Sequence, residues 1–132
     1  MNVVIQKFGG TSMGCAESIT QCAQIVSAAH SEQSIVAVVS AMSGVTDELF
    51  ELIDLAMRQK PKLIAARLNT LYQRHRNVLG EFIADQLELE EIWEEEFVPA
   101  FKRLRIILTG ISYVGDATDK SRVVVTAFGE RL

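Results

Sequence analysis

Val3-Val4-Ile5-Gln6-Lys7-Phe8-Gly9-Gly10-Thr11-Ser12 runs from a compact β-branched stretch straight into a lysine and a pair of glycines. A short apolar run closed by glycine reads as a strand with a turn at its carboxyl end. A second run of the same character is Ile35-Val36-Ala37-Val38-Val39. Both are continuously apolar rather than alternating, which predicts strands buried on both faces of a parallel sheet. Between them Cys15, Ile19, Cys22, Val26 and Ala29 recur at helical spacing. Strand, helix and strand in this order make a βαβ unit with a right-handed crossover. The expected fold class is therefore α/β, a parallel sheet with flanking helices.

Outward from this unit the periodicity turns helical. Leu49, Ile53 and Met57 form one stripe, with Leu52 and Ala56 beside it, Asp47 and Glu48 near the start and Arg58 near the end. That charge order suits the helix dipole. Pro61 fits the first turn of a further helix, whose stripe of Ile64, Leu68, Leu71, Tyr72, Val78 and Leu79 continues towards Phe82. Gly80 weakens it and marks a place for a break. From Gln86 to Ile111 a single long helix is expected, with Leu89, Trp93, Phe97, Phe101, Leu104, Leu108 and Ile111 on one face. Pro99 falls inside it and predicts a kink or a short interruption. Together these stretches form a helical excursion from about Pro61 to Gly115. The last segment fits a strand at Val123 to Val125 or a helix on Val124, Ala127, Phe128 and Leu132. Helix is preferred, with Asp119 or Ser121 near its cap.

Composition excludes several function classes. The chain has 132 residues, 48% hydrophobic and 23% charged, with a formal net charge of −4. No basic face is available for nucleic acid or an anionic membrane surface. No apolar run approaches the roughly 20 residues of a membrane span. The N-terminus lacks the pattern of a secretion signal, so a cytoplasmic setting is expected. Cys15 and Cys22 are expected to be reduced core thiols, because their spacing within one helix does not suit a disulfide and a pair makes no metal site. The glutamates around Trp93 read as a solvated helix face, and no residue is assigned to a metal.

The chemistry sits at the two strand ends. The Gly9-Gly10 pair fits neither the dinucleotide fingerprint nor a Walker loop. Here the lysine comes first. Glycine at both positions permits positive φ and a close backbone approach to a ligand. The following helix offers unpaired N–H groups and the positive end of its dipole, and Lys7 adds a full charge. That combination suits a polyphosphate, while plain turn chemistry is the commoner origin of such a stretch. The second strand ends in VVSAMSGVTD, Val38 to Asp47, with Ser40, Ser43, Gly44 and Thr46 where ligands bind in open α/β sheets. Ser43 is read as an N-cap, and Thr46 stands evenly between cap and ligand contact.

KFGGTS at Lys7 to Ser12, VVSAMSGVTD at Val38 to Asp47 and FGERL at Phe128 to Leu132 are together similar to the N-terminal part of aspartokinases, members of the amino acid kinase family. The GISYVGD stretch at Gly110 to Asp116 and the order of the helices resemble that group too. The resemblance covers the whole chain. It implies transfer of the γ-phosphoryl group of ATP to the side-chain carboxylate of L-aspartate, the entry to lysine, threonine and methionine synthesis. It further implies that Lys7 is the catalytic lysine and contacts the ATP phosphates with Phe8, Gly9 and Gly10. Ser40, Thr46 and Glu130 then match the substrate side, Glu130 meeting the amino group of aspartate. The attacking carboxylate is already ionised at neutral pH, so no general base is required.

The family's kinase domain is longer than this chain. The reading is therefore residues 1–132 as the N-terminal part of an amino acid kinase domain, without the C-terminal nucleotide-binding part and the regulatory ACT domains. The resemblance implies ATP and Mg2+ bound mainly by those other parts, a homo-oligomeric full-length enzyme, and an inactive isolated chain. Two alternatives stand beside it: another amino acid kinase, acting on a different acid, and a non-catalytic interaction or regulatory module on the same fold. The serine-threonine loop and the Gly129-Glu130 pair favour aspartate over the first.

Overall fold

The structure, a computed structural model, describes residues 3–132. Met1 and Asn2, on which part of the reading of the N-terminus rests, lie outside the described residues. Strands β1 (Val3–Lys7) and β2 (Ser34–Val38) pair in parallel, Ile5 opposite Val36 and Lys7 opposite Val38. The Phe8 N–H carries the pairing one step further by donating to the Val38 carbonyl at 2.8 Å. Helix α1 (Ala16–His30) is the crossover, preceded by a 3-10 turn over Gly10–Met13. The expected α/β unit is present.

The burial of its strands differs from the expectation. Ile5 is 70% exposed, Val3 59% and Val36 47%. The pleat sends Val3, Ile5 and Lys7 to one side of the sheet, beside Val36 and Val38 of the parallel neighbour. Helix α1 packs on β2, and Val4, Gln6, Ser34 and Ile35 are the half-buried positions. No second layer covers the other face among the described residues. A continuously apolar strand signals a two-sided environment, and this chain supplies one side of it.

The core lies instead among the helices. Helices α2 (Val45–Met57), α3 (Pro61–Phe82), α4 (Gln86–Ile92), α5 (Val98–Val114), α6 (Asp119–Thr126) and the short α7 (Phe128–Arg131) follow in order. Val45, Leu49, Leu52, Ile53, Trp93, Leu104, Leu108 and Val125 are fully buried. Burying one such side chain contributes about 1.5–3 kcal/mol, so this cluster, not the sheet, dominates stability. Gly80 does not break α3, which runs on to Phe82.

The long helix is interrupted where Pro99 predicts. Residues Trp93–Phe97 form a π-helical turn between α4 and α5, in which the Val98 N–H reaches back to the Trp93 carbonyl. Proline has no N–H to donate to residue 95, and its ring crowds that carbonyl; one widened turn relieves both. The turn stacks Trp93 on Phe97 with ring centroids 4.6 Å apart and sets Trp93 edge-on to Tyr72 at 4.7 Å. The buried aromatic side of α5 therefore survives the interruption.

Of the two helix starts read from sequence, that of α6 lies where expected and that of α2 does not. Thr118 caps α6 by accepting the Ser121 N–H at 3.2 Å, so Asp119 and Ser121 stand beside the cap as expected. At α2 the capping position is Gly44, with φ 78° and no side-chain bond, so Ser43 is not a cap. Thr46 is already the second residue of the helix. Cys22 is buried as expected, whereas Cys15 is exposed at the start of α1. Its thiol lies near the Ser18 hydroxyl, 3.5 Å away, and that interaction is the main cause of a pKa below the ordinary value for cysteine.

Candidate functional site

Lys7 ends β1 as an exposed side chain, and the chain turns at Gly9 into the 3-10 segment. The Ser12 N–H closes that turn on the Gly9 carbonyl at 3.0 Å. The N–H groups of Gly10 and Thr11 are left without a partner inside the turn, as at any helical start. The positive φ expected of the two glycines is not used, since Gly9 sits at φ −79° and the positive-φ glycines are Gly44 and Gly115. What matters at these two positions is space. A Cβ on Gly9 would meet nothing within 4 Å, whereas a Cβ on Gly10 would stand 3.4 Å from the Ala41 carbonyl oxygen. The first loop thus lies against the second at Gly10, where a Cβ would make an ordinary contact, and Gly9 leaves open room.

The second loop joins a third segment in the same way. A Cβ on Gly129 would stand 3.2 Å from the Ala41 Cβ and 3.5 Å from the Thr46 Oγ1. Ala41 is the residue missing from the sequence reading: it is buried, and both Gly10 and Gly129 close onto it. The only signal for it was the stretch Ser40-Ala41-Met42-Ser43-Gly44, small at every position but Met42. Through Ala41, the loops carrying Lys7, Thr46 and Glu130 become neighbours although they are far apart in sequence.

Ser40 and Glu130 line one cleft of about 280 Å³, together with Met13, Met42, His75 and Phe82. Its remaining walls are largely apolar, Leu79, Phe97 and Leu132 among them. Glu130 is exposed at its edge on α7. Thr46 is half-buried behind Gly129 and does not line the cleft, nor do Lys7, Phe8, Gly9 and Gly10. The residues expected to act on phosphate and those expected to hold substrate therefore form two adjoining zones rather than one pocket.

His75 was not singled out from the sequence. It is the one buried polar or charged side chain among the described residues, at 4% exposure. Its Nδ1 lies 2.8 Å from the Leu71 carbonyl, an acceptor, so Nδ1 carries the proton and Nε2 is the bare nitrogen. That Nε2 is buried without a partner. Burial is the main cause that pushes its pKa below 6.5. Among the described residues no group of three or more His, Cys, Asp or Glu side chains converges as a metal site would.

Comparison with known proteins agrees with this architecture. The profile of the amino acid kinase family matches residues 2–131. The chain is 32% identical over 126 residues to the chloroplastic bifunctional aspartokinase/homoserine dehydrogenase 1 of Zea mays, covering 96% of this chain and 13% of that protein. It is 28% identical over 134 residues to an aspartokinase of Bacillus sp. (strain MGA3), covering 96% of this chain and 33% of that one. Escherichia coli aspartokinase III, solved in complex with lysine and aspartate, superposes with a TM-score of 0.74 at 21% identity, over 97% of this chain and 26% of that one. The chain thus spans a third or less of the length of these relatives. With two packed loops at the carboxyl ends of parallel strands and a family match over nearly its whole length, the chain belongs to the amino acid kinase family and is similar to the aspartokinases within it.

Proposed function

We propose that this chain forms part of an aspartate kinase, in which the γ-phosphoryl group of ATP passes to the side-chain carboxylate of L-aspartate. The observation that carries the reading is the contact of Gly10 and Gly129 with Ala41, which draws the Lys7, Thr46 and Glu130 segments together. Lys7 and the N–H groups of the turn after Gly9 are the groups for the phosphates. Phosphoryl transfer asks chiefly for positioning and for neutralisation of charge on the moving group, and a lysine beside aligned amides supplies both. The aspartate carboxylate attacks phosphorus, and the bond to the bridging oxygen of ADP breaks. The products are the acyl phosphate and ADP.

On the substrate side Glu130 pairs with the ammonium group, and Ser40 and Thr46 supply hydroxyls. No step is assigned here to Mg2+, because the described residues hold no cluster suited to it. ATP chemistry on a free amino acid accords with the cytoplasmic expectation. Among the described residues no helix is long and apolar enough to cross a membrane.

A second reading, a non-catalytic interaction module, is favoured by one observation: the bare apolar sheet face of Val3, Ile5 and Val36. Calorimetric titration with ATP of the full-length protein carrying this segment separates the two. A charge-assisted contact from Lys7 contributes about 1.5–3 kcal/mol, so Lys7→Ala should weaken ATP binding at least roughly tenfold. No ATP binding by that full-length protein, or equal binding by its Lys7→Ala variant, would favour the module.

A further inference from the structure

Helices α3 and α5 enclose a second cleft, of about 310 Å³, that shares no residue with the one containing Ser40 and Glu130. Its floor is apolar, formed by Leu68, Val98 and Phe101. Its polar lining consists of Asn69, Tyr72, Lys102 and Arg105, and it contains no acidic residue although the chain as a whole carries a net charge of −4. Lys102 and Arg105 have no acidic partner within 4.0 Å among the described residues. Arg105 also lines an adjoining cleft of about 260 Å³ with Thr109 and Ser112, so the groove continues past it.

Tyr72 lines the groove as well, its hydroxyl oxygen accepting the indole N–H of the buried Trp93. An apolar floor and two unpaired cations are the complement of one ligand class. That class is a small organic anion with a hydrophobic body. The volume falls at the lower end of small-molecule sites, and a guanidinium with neighbouring donors recognises a carboxylate through charge-assisted bonds.

We propose that the α3–α5 groove binds an amphiphilic monocarboxylate, its apolar part on Phe101 and Leu68 and its carboxylate at Lys102 and Arg105. The site is independent of the proposed kinase chemistry. A phosphate or a dicarboxylate such as aspartate has no apolar body to cover the floor. The occupant is therefore a different molecule from either proposed substrate.

Trp93, the single tryptophan, reports on the site because its indole is bonded to Tyr72. The experiment titrates the 132-residue chain with 3-phenylpropionate, its uncharged amide and acetate, following tryptophan fluorescence. A saturable change with 3-phenylpropionate is expected, with the amide and acetate each binding at least roughly tenfold more weakly, the loss that follows from removing a charged contact or the apolar area. Arg105→Ala should reduce 3-phenylpropionate binding by a similar factor, and because Arg105 is exposed the variant folds. Equal binding of acid and amide, an unaffected Arg105→Ala variant, or no saturable change would overturn the proposal. So would a signal that follows protein concentration instead of added acid, since a second copy would then be the occupant.

Discussion

The Thr46 hydroxyl oxygen lies 3.5 Å from the place a Cβ on Gly129 would take, with the Ala41 methyl nearer still at 3.2 Å. A glycine inside a helix costs roughly 1 kcal/mol relative to alanine. Here the missing side chain lets α7 close on the loop after β2.

Gly129→Val should therefore destabilise the fold by about 1–3 kcal/mol, the usual cost of overpacking. Urea unfolding followed by tryptophan fluorescence should show a lower midpoint at unchanged slope. A midpoint equal to that of the native chain would mean that α7 has room to move away at no cost.

Glu130 is the next residue and is exposed at the cleft's edge. In an active kinase carrying this segment, Glu130→Gln should raise the KM for aspartate several-fold while leaving that for ATP nearly unchanged, because only the ammonium contact is lost. Equal effects on both substrates would indicate a folding defect. No effect on either would leave Glu130 a solvated surface charge.

For the isolated chain no aspartate-dependent release of ADP is expected in a coupled assay. The chain spans 33% of the Bacillus aspartokinase, and each electrostatic contact missing from the transition state costs on the order of 10²–10³-fold in rate. Measurable turnover would show that the catalytic groups are all within these residues.

His75 sets a pH dependence of stability. Its native pKa lies below the ordinary 6.5 because of burial, the bond to Leu71 offsetting this in part and the Arg74 charge adding to it. The unfolded chain therefore takes up the proton more readily than the native one. Stability is complete above the unfolded value and falls as pH drops through it towards the native pKa. Between about pH 7.5 and 5.5 the native chain should lose more of its urea midpoint than His75→Leu does. Parallel loss in both proteins would assign the effect to other groups.

Alkylation distinguishes the two thiols. Cys15 is exposed, with its pKa lowered chiefly by the Ser18 hydroxyl, and Cys22 is buried. Mass spectrometry after brief iodoacetamide treatment should find the label on Cys15 alone. Equal labelling would mean that α1 opens readily.

Much of the architecture was legible in the sequence because it follows from periodicity. The β-branched runs, the stripe from Ile64 to Leu79 and the long apolar face from Leu89 to Ile111 all lie in the expected elements. Pro99 announced the π turn because a missing N–H has local consequences wherever the chain goes. What stayed hidden depends on partners distant in sequence. Exposure of Ile5 and Val36 follows from which layer covers the sheet, which a β-branched run does not encode. The burial of His75 needs Phe97 and Phe101 from another helix, with ring centroids 6.4 and 5.9 Å away. Ser43 carried the chemistry of a cap, yet the left-handed turn at Gly44 took the position. At the candidate site, KFGGTS and FGERL were visible as motifs, whereas the closure of both onto Ala41 emerged only in three dimensions.

The central claim is that the Lys7 turn takes phosphate while the Ser40, Thr46 and Glu130 segments take the amino acid. Amide chemical-shift mapping of a full-length kinase carrying these 132 residues, titrated separately with ATP and with L-aspartate, tests it most directly. ATP should move the amides of Lys7 to Thr11, and aspartate those of Ser40, Thr46 and Glu130, with Lys7→Ala abolishing only the first response. Shifts from both ligands confined to other surfaces, or no saturable shift in either segment, would contradict the account.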